Sequence, residues 1–185
     1  MGYGSDIRTR SFTYAEFRAV SGLSKKEADG WVQAGVIQAG AASGHRREYR
    51  FESIFEGIVA RQLADFSSRE LLPRTMAALR DFLMRERVTP ARISPDLNKP
   101  RLLVKIHARK SKELMAGGGV RGVVSYVEWY KYEAISPWLG PSVYVLVDLT
   151  AVVAEAGSAI ADLPSGSVFL SIDTPVRGYR GGKVE

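Results

Sequence analysis

Two capping boxes, Thr13-Tyr14-Ala15-Glu16 and Ser24-Lys25-Lys26-Glu27, start eleven residues apart. In each, the hydroxyl can accept the third helical N–H, and the Glu can reach back to the cap's own N–H. Such a cap contributes about 1 kcal/mol. Two helix starts this close leave room for a short first helix over 14–20 and a turn at Ser21-Gly22-Leu23. Gly22 suits the left-handed conformation that ends a helix. The second helix is expected to reach about Ala34, with Gly35 as its C′ residue. Phe17 and Val20 on the first helix, with Ala28, Trp31 and Val32 on the second, are spaced to form one small core. A plain helical hairpin satisfies the same spacing.

The next segment narrows the choice. Val36-Ile37-Gln38 reads as a short strand, 39–44 is small and flexible, and His45-Arg46-Arg47-Glu48-Tyr49-Arg50 returns as a basic strand. Such a hairpin can lie along phosphates, with Arg forming bidentate pairs and Tyr donating its hydroxyl. The alternative is a solvated hairpin whose Arg residues serve solubility. The hairpin directly follows a capped helix with Lys25 and Lys26 at its start, where a recognition helix meets a duplex. With a longer amphipathic helix from Phe51, the layout is that of a winged helix-turn-helix. The candidate DNA-binding residues are Ser24, Lys25 and Lys26 on the second helix and Arg46, Arg47, Tyr49 and Arg50 on the wing.

Residues 12–66 resemble the DNA-binding domain of MerR-type regulators. The resemblance rests on Gly22-Leu23-Ser24 at the turn, Trp31 late in the second helix and Gly35-Val36-Ile37 leaving it. Gly44, then Arg47 and Tyr49 as Arg-x-Tyr, and the helix from Phe51 complete it. It covers roughly a third of the chain and implies a winged helix-turn-helix that binds double-stranded DNA as a homodimer. One departure matters. Many relatives carry an Arg and an aromatic in the middle of the second helix, where this chain has Asp29 and Gly30. An acid is unfavourable near phosphates, and a mid-helix Gly costs about 1 kcal/mol relative to Ala. The family's mid-helix contacts therefore do not carry over, whereas the wing contacts do.

Charge is spread unevenly. Residues 1–66 carry nine Lys/Arg against eight Asp/Glu, residues 67–110 eleven against four, and residues 111–185 six against eight. The positive excess thus follows the expected DNA-binding unit, a suitable flank for phosphates. Equally, Arg80, Arg85 and Arg87 could solvate the outer face of a helix. Cysteine is absent and only His45 and His107 are present. Thiolate metal sensing is excluded, a His-based zinc site is not expected, and no cofactor is expected. No apolar run approaches the roughly 18 residues that span a bilayer, and the N-terminus has no signal-peptide core. A cytoplasmic protein with no membrane partner is expected.

Ile54, Ile58, Val59, Leu63 and Phe66 recur at three- and four-residue steps, as in an amphipathic helix. Ser67-Ser68-Arg69-Glu70 reads as a third capping box, so the following helix starts at Ser68 or Pro73 and runs to about Arg87. Its stripe of Met76, Leu79, Phe82 and Leu83 suits either a dimer face or packing against the chain's own later domain. Residues 90–100 hold three prolines and read as a semi-rigid linker. Strands are expected over 101–108, 120–132, 143–149 and 167–172, with an Ala-rich helix over 150–163 and a frayed tail over 178–185.

The second domain offers little chemistry. Gly117-Gly118-Gly119 lacks the Lys-Ser/Thr of a phosphate loop and reads as a hairpin turn. Tyr126, Trp129, Tyr130, Tyr132, Trp138 and Tyr144 suit core packing, a ligand pocket or a partner surface. Asp148 stands before a helix and is read as its cap. No catalytic set assembles, so no enzyme is expected.

The expected fold is α+β: an N-terminal winged helix-turn-helix with following helices (1–88), a Pro-rich linker (89–100) and a C-terminal small β-sheet domain with one helix (101–185). The expected function is sequence-specific transcriptional regulation as a dimer. The C-terminal domain would serve for dimerisation, or for a small-molecule or protein effector. Two alternatives stand beside it: an architectural, excisionase-like DNA-binding protein of a mobile element, and an antitoxin-like protein-interaction module.

Overall fold

The computed structural model describes residues 10–40, 42–43, 46–110, 123–129 and 144–163, and the fold is α+β. Helix α1 (Tyr14–Ser21) and helix α2 (Lys25–Gln33) both start on complete capping boxes. Thr13 Oγ1 accepts the Glu16 N–H at 3.2 Å, and Glu16 accepts the Thr13 N–H at 2.8 Å. Ser24 and Glu27 repeat the exchange at 3.2 and 2.8 Å. Gly22 ends α1 at φ 68°. Helix α2 ends in a Schellman motif: Val36 N–H reaches Trp31 O at 2.8 Å and Gly35 N–H reaches Val32 O at 3.2 Å, with Gly35 at φ 71°.

The strand expected at Val36-Ile37-Gln38 does not form. Val36 and Ile37 are buried, and side chains of later helices satisfy the backbone there. The hairpin is shorter: β1 (Ala42–Ser43) pairs antiparallel with β2 (Arg46–Arg47), with Ala42 opposite Arg47.

Helix α3 (Phe51–Ala64) buries residues on nearly every side, among them Ile54, Phe55, Ile58 and Leu63. Helix α4 (Leu71–Arg85) starts between the two expected positions, Ser68 and Pro73, and its N-cap residue Glu70 makes no side-chain cap bond. Ser68 Oγ accepts the Leu71 N–H at 3.3 Å, and Ser68 O accepts the Leu72 N–H at 3.0 Å. The third capped position is therefore Leu71, not Glu70, and no reciprocal box closes. Pro73 falls in the first turn, where a missing N–H costs nothing.

Three strands form an antiparallel sheet in the order β4-β3-β5: β3 (Leu103–Lys110) in the centre, flanked by β4 (Val123–Trp129) and β5 (Tyr144–Asp148). Helix α5 (Leu149–Ala161) follows directly. Asp148 caps it, accepting the Ala151 N–H at 3.0 Å while pairing with Arg101 at 3.0 Å. The strand expected over 167–172, Gly117-Gly118-Gly119, Tyr130, Tyr132, Trp138, the side chains of Tyr126 and Tyr144, and the tail lie outside the described residues.

One hydrophobic cluster runs through both halves of the chain. Helix α5 packs on α1 and α3, and α4 packs on β4. Phe82 meets Trp129 edge-on at 4.7 Å, and the Trp129 indole N–H donates to Glu86 at 3.1 Å. The α4 stripe is thus taken up within the protomer. The segment expected as a linker contains a 3-10 turn (Pro90–Arg92), and Ala91 and Ile93 lie against the core. No helix among the described residues is long and apolar enough to cross a membrane.

Glycines mark where α3 comes close to the end of α1 and where α2 has room. A Cβ on Gly57 of α3 would stand 2.9 Å from the Cβ of buried Ser21. On Gly30 of α2 it would meet nothing within 4 Å. Gly57→Val should lower stability by about 1–3 kcal/mol through overpacking, whereas Gly30→Ala should raise it by up to about 1 kcal/mol. Urea unfolding of the two variants checks both signs.

Candidate nucleic-acid interface

Lys25 and Lys26 stand exposed in the first turn of α2. Ser24 is exposed too, but its oxygen is already engaged as the cap. Arg47 projects from β2 and Arg50 stands exposed immediately before α3. Arg46 occupies β2, with its side chain outside the described residues. Among the candidate residues, the exposed cations therefore belong to two elements, the start of α2 and the hairpin with its return.

Backbone and ring contacts join those elements. Phe12 and Tyr49 exchange two hydrogen bonds, at 2.7 and 3.2 Å, fixing the hairpin's return against the entry to α1. The Tyr49 ring then stacks on Phe17, with centroids 4.3 Å apart and planes 10° apart. Tyr14 tilts against Tyr49 at 5.9 Å and donates its hydroxyl to Asp29 at 2.5 Å. The path Tyr49–Tyr14–Asp29 thus runs from the hairpin's return through α1 to α2.

This path corrects one expectation. Tyr49 is 3 % exposed, because its ring fills the space between the hairpin and α1. It is a positioning residue here rather than a surface donor. Burial pushes its hydroxyl up, and the Arg47 guanidinium beside that hydroxyl works the other way.

Tyr14 and Asp29 were not legible as a pair. Desolvation, reinforced by the Asp29 hydrogen bond, pushes the Tyr14 hydroxyl up to about 12. Asp29 thus serves as an acceptor that fastens α2 to α1.

A second set of contacts holds the exit of α2. Arg80 Nη2 donates to Gly35 O at 2.7 Å and Val36 O at 2.6 Å, while its Nε donates to Glu56 at 2.6 Å. Glu56 also accepts the Gln38 N–H at 2.6 Å, and Ser53 Oγ donates to Gln38 O at 2.6 Å. Burial pushes the Glu56 carboxyl up, opposed by the Gln38 N–H and by Arg80. Arg80 is therefore committed inside the protein and is no part of a phosphate flank. Arg85 and Arg87 remain exposed. Lys105, buried in β3 and 3.8 Å from Glu128, also belongs to the interior.

Among the described residues, no group of three or more His, Asp or Glu side chains is placed to hold a metal ion. No protein-family model matches the chain, and no curated protein matches it in sequence. The class defined by the fold is an α+β protein with an exposed basic helix start and a basic hairpin.

Two outcomes are expected from these contacts. Tyr14→Phe should cost about 1 kcal/mol, the value of an ordinary hydrogen bond at a solvent-accessible site. The wild-type advantage should be full below the ordinary tyrosine range near pH 10 and fade as pH rises toward about 12, since the folded state holds that proton more tightly. Alkaline unfolding of both proteins checks it. Arg80→Ala should cost about 3 kcal/mol or more, because it strands a buried carboxylate and two carbonyls. Unfolding titrations, with faster amide exchange at Gln38, check that.

Proposed function

We propose that the chain is a sequence-specific, DNA-binding transcriptional regulator of MerR-like type that acts as a dimer and by binding alone, in the cytoplasm. The observation that carries this reading is one arrangement. Two capped helices and a basic hairpin are fastened together by Tyr49 and Tyr14, and Lys25, Lys26, Arg47 and Arg50 are left exposed. This is a winged helix-turn-helix reading: α2 enters the major groove by its first turn, and the hairpin lies on the adjacent backbone.

Lys25 and Lys26, with Ser24, would face the bases and nearby phosphates. Arg46, Arg47 and Arg50 would hold phosphates as charge-assisted pairs. Asp29 is spent on Tyr14, so base reading would be confined to the start of α2. The α4 stripe packs on β4 and Trp129. The dimer contact would therefore lie elsewhere on the surface, and the C-terminal half would contribute it or take an effector.

Genome-wide mapping of bound sites, followed by gel shifts at graded salt, tests the reading. Arg47→Ala should weaken binding to all sequences and reduce the salt slope by about 1. Changing Lys25 or Lys26 to Ala should alter sequence preference, by about 1–3 kcal/mol at the affected base pair. Unaltered DNA affinity in all three variants would sink the proposal.

A further inference from the structure

A cavity of about 400 Å³ opens between α3, α4 and the chain that leaves α4. That volume falls within the range of small-molecule sites, about 300–1,000 Å³. Its floor is apolar, built by Phe55, Met76, Leu79 and Leu83, all buried. Met84, 74 % exposed, forms part of the rim. A thioether there adapts its shape to different apolar bodies.

The polar lining has one sign in excess. Glu52, Glu56 and Asp81 reach the cavity, and Arg80 is the one cation in its lining. Arg80 already spends its guanidinium on Glu56, Gly35 O and Val36 O. Among the described residues, neither Glu52 nor Asp81 forms an ion pair. Glu52 acts instead on Glu56 as a like charge. An apolar floor beneath two carboxylates that form no ion pair among the described residues is complementary to one ligand chemistry.

We propose that this cavity binds a small amphipathic organic cation, its apolar body on the Phe55–Leu79 floor and its charged head against Glu52 and Asp81. An anion would face two like charges, and a neutral molecule would gain no attraction from them.

Calorimetric titration of the full chain with n-octyltrimethylammonium tests this, with n-octane-1-sulfonate as the matched anion. Both are kept below their micelle concentrations, and no DNA is present, so the outcome is independent of the DNA-binding reading. Saturable one-site binding of the cation is expected, weakening with added salt. The sulfonate should bind at least about tenfold more weakly. The double variant Glu52→Gln, Asp81→Asn should lose about tenfold in affinity for the cation. Ala77→Trp, at an exposed lining position of α4, should abolish saturable binding with the circular dichroism spectrum unchanged. Absence of saturable binding to the wild type, equal binding of cation and sulfonate, or unchanged affinity in both variants overturns the proposal.

Discussion

Glu56 is 7 % exposed, and a buried carboxylate is costly unless it is paired and hydrogen-bonded. Arg80 and the Gln38 N–H supply both conditions. The guanidinium matters for its shape as much as its charge, since its planar fork can meet a carboxylate and two carbonyls together. A lysine could not reproduce that geometry. Through these bonds α3 and α4 grip the backbone between Gly35 and Gln38, the stretch that carries the chain from α2 toward the hairpin. The direction in which the hairpin leaves the core is therefore set by side chains seated on two later helices. Release of the pair would free the carbonyls of Gly35 and Val36 and the amide of Gln38 together.

Elements whose partners lie within a few residues are legible in the sequence, and those held by distant side chains are not. The starts of α1 and α2 were legible because a capping box is complete within four residues, and Thr13–Glu16 and Ser24–Glu27 contain every partner they need. The left-handed glycines at 22 and 35 were legible for the same local reason. In the C-terminal half, the strands of the three-stranded sheet and helix α5 lie within a few residues of where alternation and alanine content placed them. Val36-Ile37-Gln38 was misread because a short apolar run bounded by glycine and small residues suits a strand until its hydrogen-bond partners are known. Those partners, Ser53, Glu56 and Arg80, come from much later in the chain. The capping box expected over Ser67–Glu70 does not form, because the chain turns before α4 and the Ser68 hydroxyl engages the Leu71 amide while its carbonyl accepts from Leu71 and Leu72.

At the candidate interface, the exposed cations Lys25, Lys26, Arg47 and Arg50 could be named from local pattern alone. Tyr49 could not be assigned correctly, because an aromatic on a basic strand reads the same whether its ring faces solvent or a neighbouring helix. The stacked contact with Phe17 decides the matter. Asp29 shows the converse. On a helix expected to approach phosphates it looked only unfavourable, yet it gives Tyr14 an acceptor and joins the two short helices. Neither α1 nor α2 is long enough to be stable alone, since isolated helices shorter than about 12–15 residues are marginal in water. Their stability must come from such cross-links and from the core beneath them.

That core is shared with the C-terminal half, and the sharing reaches the turn between α1 and α2. Gly22 needs a positive φ, and the space its Cβ would occupy holds the Arg61 guanidinium, which in turn pairs with Glu155 on α5. The turn, α3 and α5 thus meet at one side chain. Any side chain larger than hydrogen at position 22 would meet two penalties at once, backbone strain and displacement of Arg61. On the other side of the molecule, Trp129 of β4 is locked to α4 through Phe82 and Glu86, and α4 carries Arg80. The sheet is therefore connected to both ends of α2, to its start through α5 and Arg61 and to its exit through α4 and Arg80. Among the described residues, contacts of α4 and α5 thus tie the C-terminal half to the turn before α2 and to the backbone that leaves it.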